Sequence, residues 1–305
     1  MVGMRVYRKA AVSAVAFAAS SFASHAPLPL EAAAAALPHP EKQKTGGEDA
    51  HFVLDRSFGV FDGVGGWANS GFDPGLFSRA LAQDTARTIQ SMIKKPPSSG
   101  ANLDLVRALT LGLTSAVQAH VGTSTACLVH IDESGQFTAL NVGDSCFRLI
   151  RPSADGLQVV MASLEQTHFF NCPLQLGTDS RDMPSEGDSY EGKVESGDLL
   201  VLATDGLIDN LSEDEILRCV SGPLADGRPA MHLAESLVSA ARAASMSATR
   251  QTPFSQSALQ HGYDFPGGKP DDTTVICVKV LTPPNSAGAS ESGNDESPGR
   301  PHSKL

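Results

Sequence analysis

The sequence predicts an α+β fold, with helices packed outside stacked sheets. Two observations carry this reading. Many short strand-like runs follow one another through the middle of the chain, separated by turns bearing Gly and Asp. Two longer amphipathic segments are inserted among them at helical spacing, a pattern that suits segregated layers better than a purely parallel sheet. No internal repeat is present.

Taken in order, HFVLD and FGVFDG read as two strands joined by a tight turn. Gly75 to Lys95 carries Leu76, Ala80, Ala86, Ile89 and Ile93 on a helical repeat that stops before Pro96-Pro97. A second amphipathic helix is expected from Leu103 to about His120. STACLVHI, QFTALNV, CFRLIRP and LQVVMAS then read as four strands. DLLVLATDG is a buried strand running into an acidic turn, and SEDEILRCV a helix capped by Ser212. Another helix is expected over Ala230 to Ala244, and DDTTVICVKV as the last strand.

The two ends differ from this middle, so the expected organisation is a targeting segment over residues 1–29, one catalytic domain over 30–282 and a disordered tail over 283–305. The first segment carries Arg5, Arg8 and Lys9, then Ala and Ser, with no acid before Glu31. That composition resembles an organelle transit peptide, and mitochondrion is the expected compartment. A plastid remains an alternative. So does a secretory signal, because AAVSAVAFAA is apolar and Ala23-Ser24-His25-Ala26 supplies small residues near a cleavage site. The tail is rich in Ser, Gly, Pro and Glu and has little to bury.

A formal net charge of -11 argues against a nucleic-acid partner, whose phosphates would be repelled. No apolar run is long enough to span a bilayer. The five cysteines are odd in number and show no C-x-x-C spacing, so neither a disulfide framework nor a zinc site is expected. Those in TACLVHI and TVICVKV read as small buried hydrophobes. A monomer is expected.

Acidic residues recur where strands end: Glu48-Asp49, Asp62-Gly63, Asp205-Gly206 and Asp271-Asp272. Hard divalent cations take oxygen ligands, and Mg²⁺ keeps several waters beside a few carboxylates. Strand ends fix such side chains while loops leave room for water, and a glycine beside them allows close backbone approach. Any single Asp-Gly pair reads better as a turn, as Asp155-Gly156 and Asp226-Gly227 are expected to be. Order and flanking sequence change the reading. GGEDAHF, FGVFDGVGGW, NVGDSCF, LATDGLIDN and GGKPDDTTVI occur in that order. Together they closely resemble the type 2C metal-dependent serine/threonine protein phosphatases. The D-G-V-G-G-W block, LPHPEK, DPGLFSRAL and GGKPDD resemble their organelle subgroup, and the likeness runs from about Leu37 to Val280.

The resemblance implies a β-sandwich of two antiparallel sheets flanked by helices, with Mg²⁺ or Mn²⁺ ions, two and in some members three, held at one end. It implies hydrolysis of phosphoserine and phosphothreonine in protein substrates by a metal-bridging hydroxide. Carried over by position, Asp62 resembles the bridging carboxylate and the Gly63 carbonyl a ligand beside it. Glu48 and Asp49 resemble the acidic pair that reaches metal directly or through water. Asp205 resembles the carboxylate of the D-G-x-x-D block, with Asp209 its outer neighbour. Asp271 opens the last block, where Asp272 replaces the usual Asn. Asp144 resembles a residue that helps hold a weaker third ion. Asp62, Asp205 and Asp271 form the implied catalytic core. Such a site must supply a large barrier reduction, which two metals can do.

Two positions depart from the pattern. Val64 stands where many members place a histidine that serves as general acid, as it does in the organelle subgroup. His51 lies two residues after Asp49 on the same strand face, but reads as structural or exposed. Lys44 stands where many members carry a phosphate-binding arginine; it can attract phosphate without a bidentate fork, or simply be solvated. Trp67 reads as a packing residue. Two other functions stay open: a non-catalytic regulatory relative, which would be expected to have lost carboxylates, and a phosphatase of a small phosphorylated metabolite. Substrate access would fall to the flap-like stretch from Asn171 to Tyr190.

Overall fold

The computed structural model describes residues 27–95 and 102–283. Strand β1 (Leu30–Leu37) leads through a 3-10 turn at Pro40–Lys42 into β2 (Asp49–Val53) and β3 (Ser57–Asp62). A second 3-10 turn, Gly65–Ser70, precedes helices α1 (Pro74–Lys94) and α2 (Leu105–Ala119). Strands β4 (Thr123–Ser124), β5 (Ala126–Ile131), β6 (Gln136–Val142), β7 (Cys146–Ser153) and β8 (Gly156–Ala162) follow. Short strands β9 (Thr167–Phe169), β10 (Cys172–Pro173) and β11 (Leu176–Gly177) lead to β12 (Asp188–Lys193) and β13 (Leu199–Ala203). Helices α3 (Asp205–Ile208), α4 (Glu213–Ala225), α5 (Ala230–Ser245) and α6 (Pro253–Gln260) precede β14 (Thr273–Val280).

Two five-stranded sheets, ordered β1-β14-β13-β7-β8 and β12-β6-β5-β3-β2, face each other. Every pairing in them is antiparallel, as the α+β sandwich expectation requires. Side chains alternate along each strand, so each sheet buries both faces. Phe58, Val60, Val129, Phe147, Leu200, Leu202 and Ile276 fill the space between the sheets. Phe61, Leu128 and Leu140 point the other way, onto Phe77, Leu81 and Leu109 of α1 and α2. Val201, Val275 and Cys277 meet Leu233, Leu237 and Ala241 of α5. The order of layers is therefore helices, sheet, sheet, helices.

Local chemistry starts these helices. The Asp73 side chain accepts from Gly75 N with Pro74 at the first helical position of α1, and Asp104 accepts from Arg107 N at α2. At α4, the Glu215 carboxylate accepts from Ser212 N at 2.9 Å and Ser212 Oγ at 3.0 Å. The expected strands and helices all form within a few residues of their expected limits. Pro96 and Pro97, read as the stop to α1, lie outside the described residues, as do residues 1–26 and 284–305.

The structure adds elements that sequence reading did not supply, β12 and α6 among them, and one is the first strand. LEAAAAAL forms edge strand β1, paired with the whole of β14 from Leu30↔Val280 to Leu37↔Thr273. Leu28 and Pro29, placed in the targeting segment, also touch the domain: Leu28 packs on the inter-sheet core and Pro29 O accepts from Leu281 N at 2.8 Å. All five cysteines are free thiols, and Cys127, Cys146 and Cys277 are buried. Among the described residues, no helix is long and apolar enough to cross a membrane.

Candidate metal centre

The strand ends converge at one edge of the sandwich. Asp49 opens β2 and Asp62 closes β3, and the two are register partners. Asp144 lies in the turn between β6 and β7, Thr204 and Asp205 follow β13, and Asp271 and Asp272 precede β14. Carboxylate oxygens of Asp62, Asp144 and Asp205 all lie within 4.8 Å of one another. Thr204 Oγ1 donates to Asp49 Oδ2 at 2.8 Å, tying the two sheets together at this edge.

Close backbone approach makes glycine obligatory at two points. A Cβ on Gly63 would lie 2.7 Å from Glu48 O and 2.9 Å from Pro74 O. On Gly206 it would lie 2.0 Å from Asp272 O. Each acidic Asp-Gly pair is thus wedged against a neighbouring acidic segment, unlike the open turn at Gly156, where nothing lies within 4 Å.

Gathering these carboxylates has an electrostatic consequence. Burial, reinforced by the charges of Asp205, Asp49, Asp271 and Asp144, holds the Asp62 carboxyl well above the usual carboxylate range. Burial and Asp272 do the same to Asp49, and burial and Asp205 to Asp144. Burial and the charge of Asp205 outweigh Lys269, bringing Asp209 up to about 7 and Asp271 to about 6. At Asp205 burial pushes upward too, but the Lys269 ammonium prevails and its carboxyl falls below the ordinary value. The protein alone cannot keep all these groups ionised comfortably, and a divalent cation reverses that balance.

Several oxygens are prepared for such an ion. Asp49 Oδ1, Asp144 Oδ1 and Asp205 Oδ1 are buried without a hydrogen-bond partner, a costly state for a carboxylate. The donor set is oxygen-only, which suits Mg²⁺ or Mn²⁺. The residues therefore fit the metal that the sequence implied. Asp62, Asp144 and Asp205 would hold it, and Asp49 offers a further free oxygen, Oδ1.

Two lysines complete the centre, and neither was singled out in the sequence. Lys269 Nζ lies 2.6 Å from Asp205 Oδ2, 2.7 Å from Asp209 Oδ2 and 3.3 Å from Asp271 Oδ2. Lys42 Nζ lies 2.5 Å from Glu48 Oε2 and 3.6 Å from Asp272 Oδ2. Lys44, the expected phosphate-attracting residue, is exposed, so the lysine among the carboxylates is Lys42, two residues earlier. Glu48 is buried, and its carboxylate is engaged by this lysine. Both lysines fall inside the quoted GGKPDD and LPHPEK blocks; a basic residue within an acidic motif was the available signal.

Asp272 has a different task from Asp271. Its Oδ1 accepts from His39 N at 2.5 Å and its Oδ2 from Glu48 N at 2.7 Å, holding the segment before β2 against β14. His51 is exposed. Trp67 packs edge-on against Phe72 and donates Nε1 to Thr123 Oγ1 at 2.9 Å. Beside the centre, a cleft of about 270 Å³ is lined by Asp144, Asp209, Phe169, Phe170, Phe254 and His261. The stretch after it is pinned by Asp182, whose Oδ2 accepts from Gln175 N at 2.8 Å and meets His168 Nε2 at 2.9 Å.

Residues 75–281 match the family described as Stage II sporulation protein E (SpoIIE). The chain is 38% identical to Probable protein phosphatase 2C 80 of Arabidopsis thaliana over 249 residues, covering 81% of this chain and 57% of that protein. It is 37% identical to Protein phosphatase PTC7 homolog fig of Drosophila erecta over 250 residues, covering 78% of this chain and 76% of that one. Among solved structures, the photosystem II phosphatase PBCP superposes with a TM-score of 0.70 at 29% identity, covering 82% of this chain and 98% of that one. The catalytic domain of serine threonine protein phosphatase PstP, in complex with two manganese ions, superposes with a TM-score of 0.54 at 16% identity, covering 84% of this chain and 100% of that one. The latter likeness is one of fold. The chain belongs to the protein phosphatase 2C family. It spans about half the length of the first curated relatives it matches, 57% and 52% for the two Arabidopsis proteins.

Proposed function

We propose that the chain hydrolyses phosphoserine and phosphothreonine in proteins, using two Mg²⁺ or Mn²⁺ ions held around Asp62, Asp205 and Asp271. The observation that carries this reading is the Asp62–Asp144–Asp205 group, whose oxygens converge within 4.8 Å. Bound metal would supply positive charge for the phosphoryl oxygens and would make water a better nucleophile at neutral pH. The chain's own residues position that chemistry. Asp49 and Asp62 are fixed by strand register, Asp205 by the buried end of β13, and Asp271 by the start of β14. Val64 offers no proton, so the leaving oxygen would take its proton from water or from another group.

Retention of every expected carboxylate favours an enzyme over a non-catalytic relative. The sequence's acid-free leader supports an organelle, with mitochondrion as the proposed compartment. The reading is tested by comparing turnover of phosphopeptides with that of small phosphorylated metabolites, each with and without Mn²⁺. Metal-dependent turnover of phosphopeptides is expected. Exclusive use of the metabolites would overturn the protein substrate, and full turnover in excess chelator would overturn the metal.

A further inference from the structure

We infer that Lys269 is a tethered cation that occupies the charge-balancing place of a third metal ion, so that this chain binds two divalent ions and not three. The inference rests on the metal-binding reading above. The sequence resemblance assigns Asp144 to a weak third ion, beside Asp205. In the structure, Asp205 Oδ2, the oxygen that an ion shared with Asp209 would use, is taken. Lys269 Nζ lies 2.6 Å from Asp205 Oδ2 and 2.7 Å from Asp209 Oδ2, with Asp271 Oδ2 at 3.3 Å. An ammonium in contact with three carboxylates repels a cation approaching the same oxygens and already offsets part of their mutual repulsion.

The lysine is held there by the fold. Asn210, fully buried, accepts from Lys269 N at 2.9 Å through Oδ1 and donates Nδ2 to Lys269 O at 2.9 Å. The same Nδ2 donates to Gly206 O at 3.0 Å, linking the lysine's backbone to the residue after Asp205. Nζ stands 5.0 Å from the centre of the Phe254 ring, whose face favours a cation. Asp205 Oδ1 and Asp144 Oδ1 are left without partners, while both Asp205 Oδ2 and Asp209 Oδ2 are engaged. The lysine thus divides the acidic cluster into a face open to metal and a face that supplies its own cation.

The test counts bound Mn²⁺ per chain in the full-length protein, by calorimetric titration and by electron paramagnetic resonance of free Mn²⁺, with no substrate present. Lys269→Met should bind one ion more than the unaltered chain, and Lys269→Arg should bind the same number. Adding Asp209→Asn to Lys269→Met should remove the gained ion. Lys269→Met leaves three carboxylates uncompensated and can fail to fold without metal, so Asp209→Asn alone provides an independent arm. In the otherwise unaltered chain it should leave the ion count unchanged, because Asp209 binds the lysine and no metal. An equal count in Lys269→Met and the unaltered chain, or an ion lost in Asp209→Asn alone, overturns the inference while leaving the phosphatase reading intact. An unaltered chain that binds no Mn²⁺ overturns both.

Discussion

Asp49 and Asp62 stand directly opposite each other across the β2–β3 ladder. Strand register, set by Phe52, Phe58 and the residues that flank them in the core, thereby forces two carboxylates onto one face of the sheet edge. Like charges so placed oppose folding, and a bound cation turns the same arrangement into a site. Asp62→Asn should therefore lower turnover by about two orders of magnitude or more, since residues that act as a unit fail together. Its melting temperature without metal should be unchanged or higher. Asp205→Asn and Asp271→Asn should behave alike in turnover. Asp155→Asn, in the exposed β7–β8 turn, and Asp226→Asn, at the exposed end of α4, should change little. Near-normal turnover in Asp62→Asn with an unchanged melt would falsify the bridging role.

Metal should also report on the fold. An ion that binds only the folded chain stabilises it by about 2.7 kcal/mol at a hundredfold excess over its dissociation constant. For a domain of this size that corresponds to a rise of roughly 5–10 °C in melting temperature. The melt should rise with millimolar Mn²⁺ or Mg²⁺, return with EDTA, and lose most of its response in Asp62→Asn. A melt indifferent to both metals and chelator contradicts the site.

The sandwich was legible because its strands carry unmistakable apolar runs, and the carboxylates because the motifs around them occur in a familiar order, where a lone Asp-Gly pair would read as a turn. Strand β1 was hidden by its composition. LEAAAAAL has helix-forming propensity, yet Ala33 and Ala35 pack toward α5 while Ala32 and Ala34 face the inter-sheet core. Small side chains suit an edge strand pressed beneath a helix, and that tertiary demand outweighs propensity. Lys42 and Lys269 were hidden for another reason. A lysine reads as solvated until the fold shows which carboxylates surround it, and only three-dimensional closeness separates Lys42 from Lys44.

At the start of α4, the Glu215 carboxylate accepts from Ser212 N and Oγ and pairs with Arg250. The Ser212 backbone N–H, outweighing the upward push of burial, holds its carboxyl below the ordinary glutamate value of 4.5. A carboxyl depressed by folding contributes stability above its unfolded value and loses it as pH falls through the folded one. Glu215→Gln should thus cost about 1 kcal/mol at neutral pH, the usual worth of a helix cap. Urea titrations should show that cost shrinking below the glutamate range. An equal cost at pH 7 and at about pH 3.5 would assign the effect to packing.

The leader can be separated from the fold. Leu28 and Pro29 touch the domain, so the cut belongs before Pro27. Removing residues 1–26 should leave the melt and Mn²⁺-dependent turnover unchanged. Fused to a fluorescent protein, the same segment should direct it to mitochondria; plastid import or secretion of the fusion would reassign the compartment.

Asp271 and Asp272 are adjacent and chemically identical, yet they should respond to substitution in opposite ways. The Asp272 carboxylate is spent on backbone: His39 N and Glu48 N donate to its two oxygens, and Lys42 Nζ lies 3.6 Å away. Asp272→Asn keeps one acceptor and turns an amide donor toward the other N–H. A buried donor left unsatisfied costs about 1–3 kcal/mol, so the melt should fall with or without metal. Metal-dependent turnover per folded molecule should drop only as far as the loosened β2 entry misplaces Asp49. Asp271→Asn should instead spare the metal-free melt and depress turnover and Mn²⁺ affinity together. The two variants compared by metal-free melts and by Mn²⁺ titration separate a carboxylate that builds the site from one that serves in it. If Asp272→Asn lost Mn²⁺ affinity as fully as Asp271→Asn while its metal-free melt stayed unchanged, the backbone clamp would not be its role.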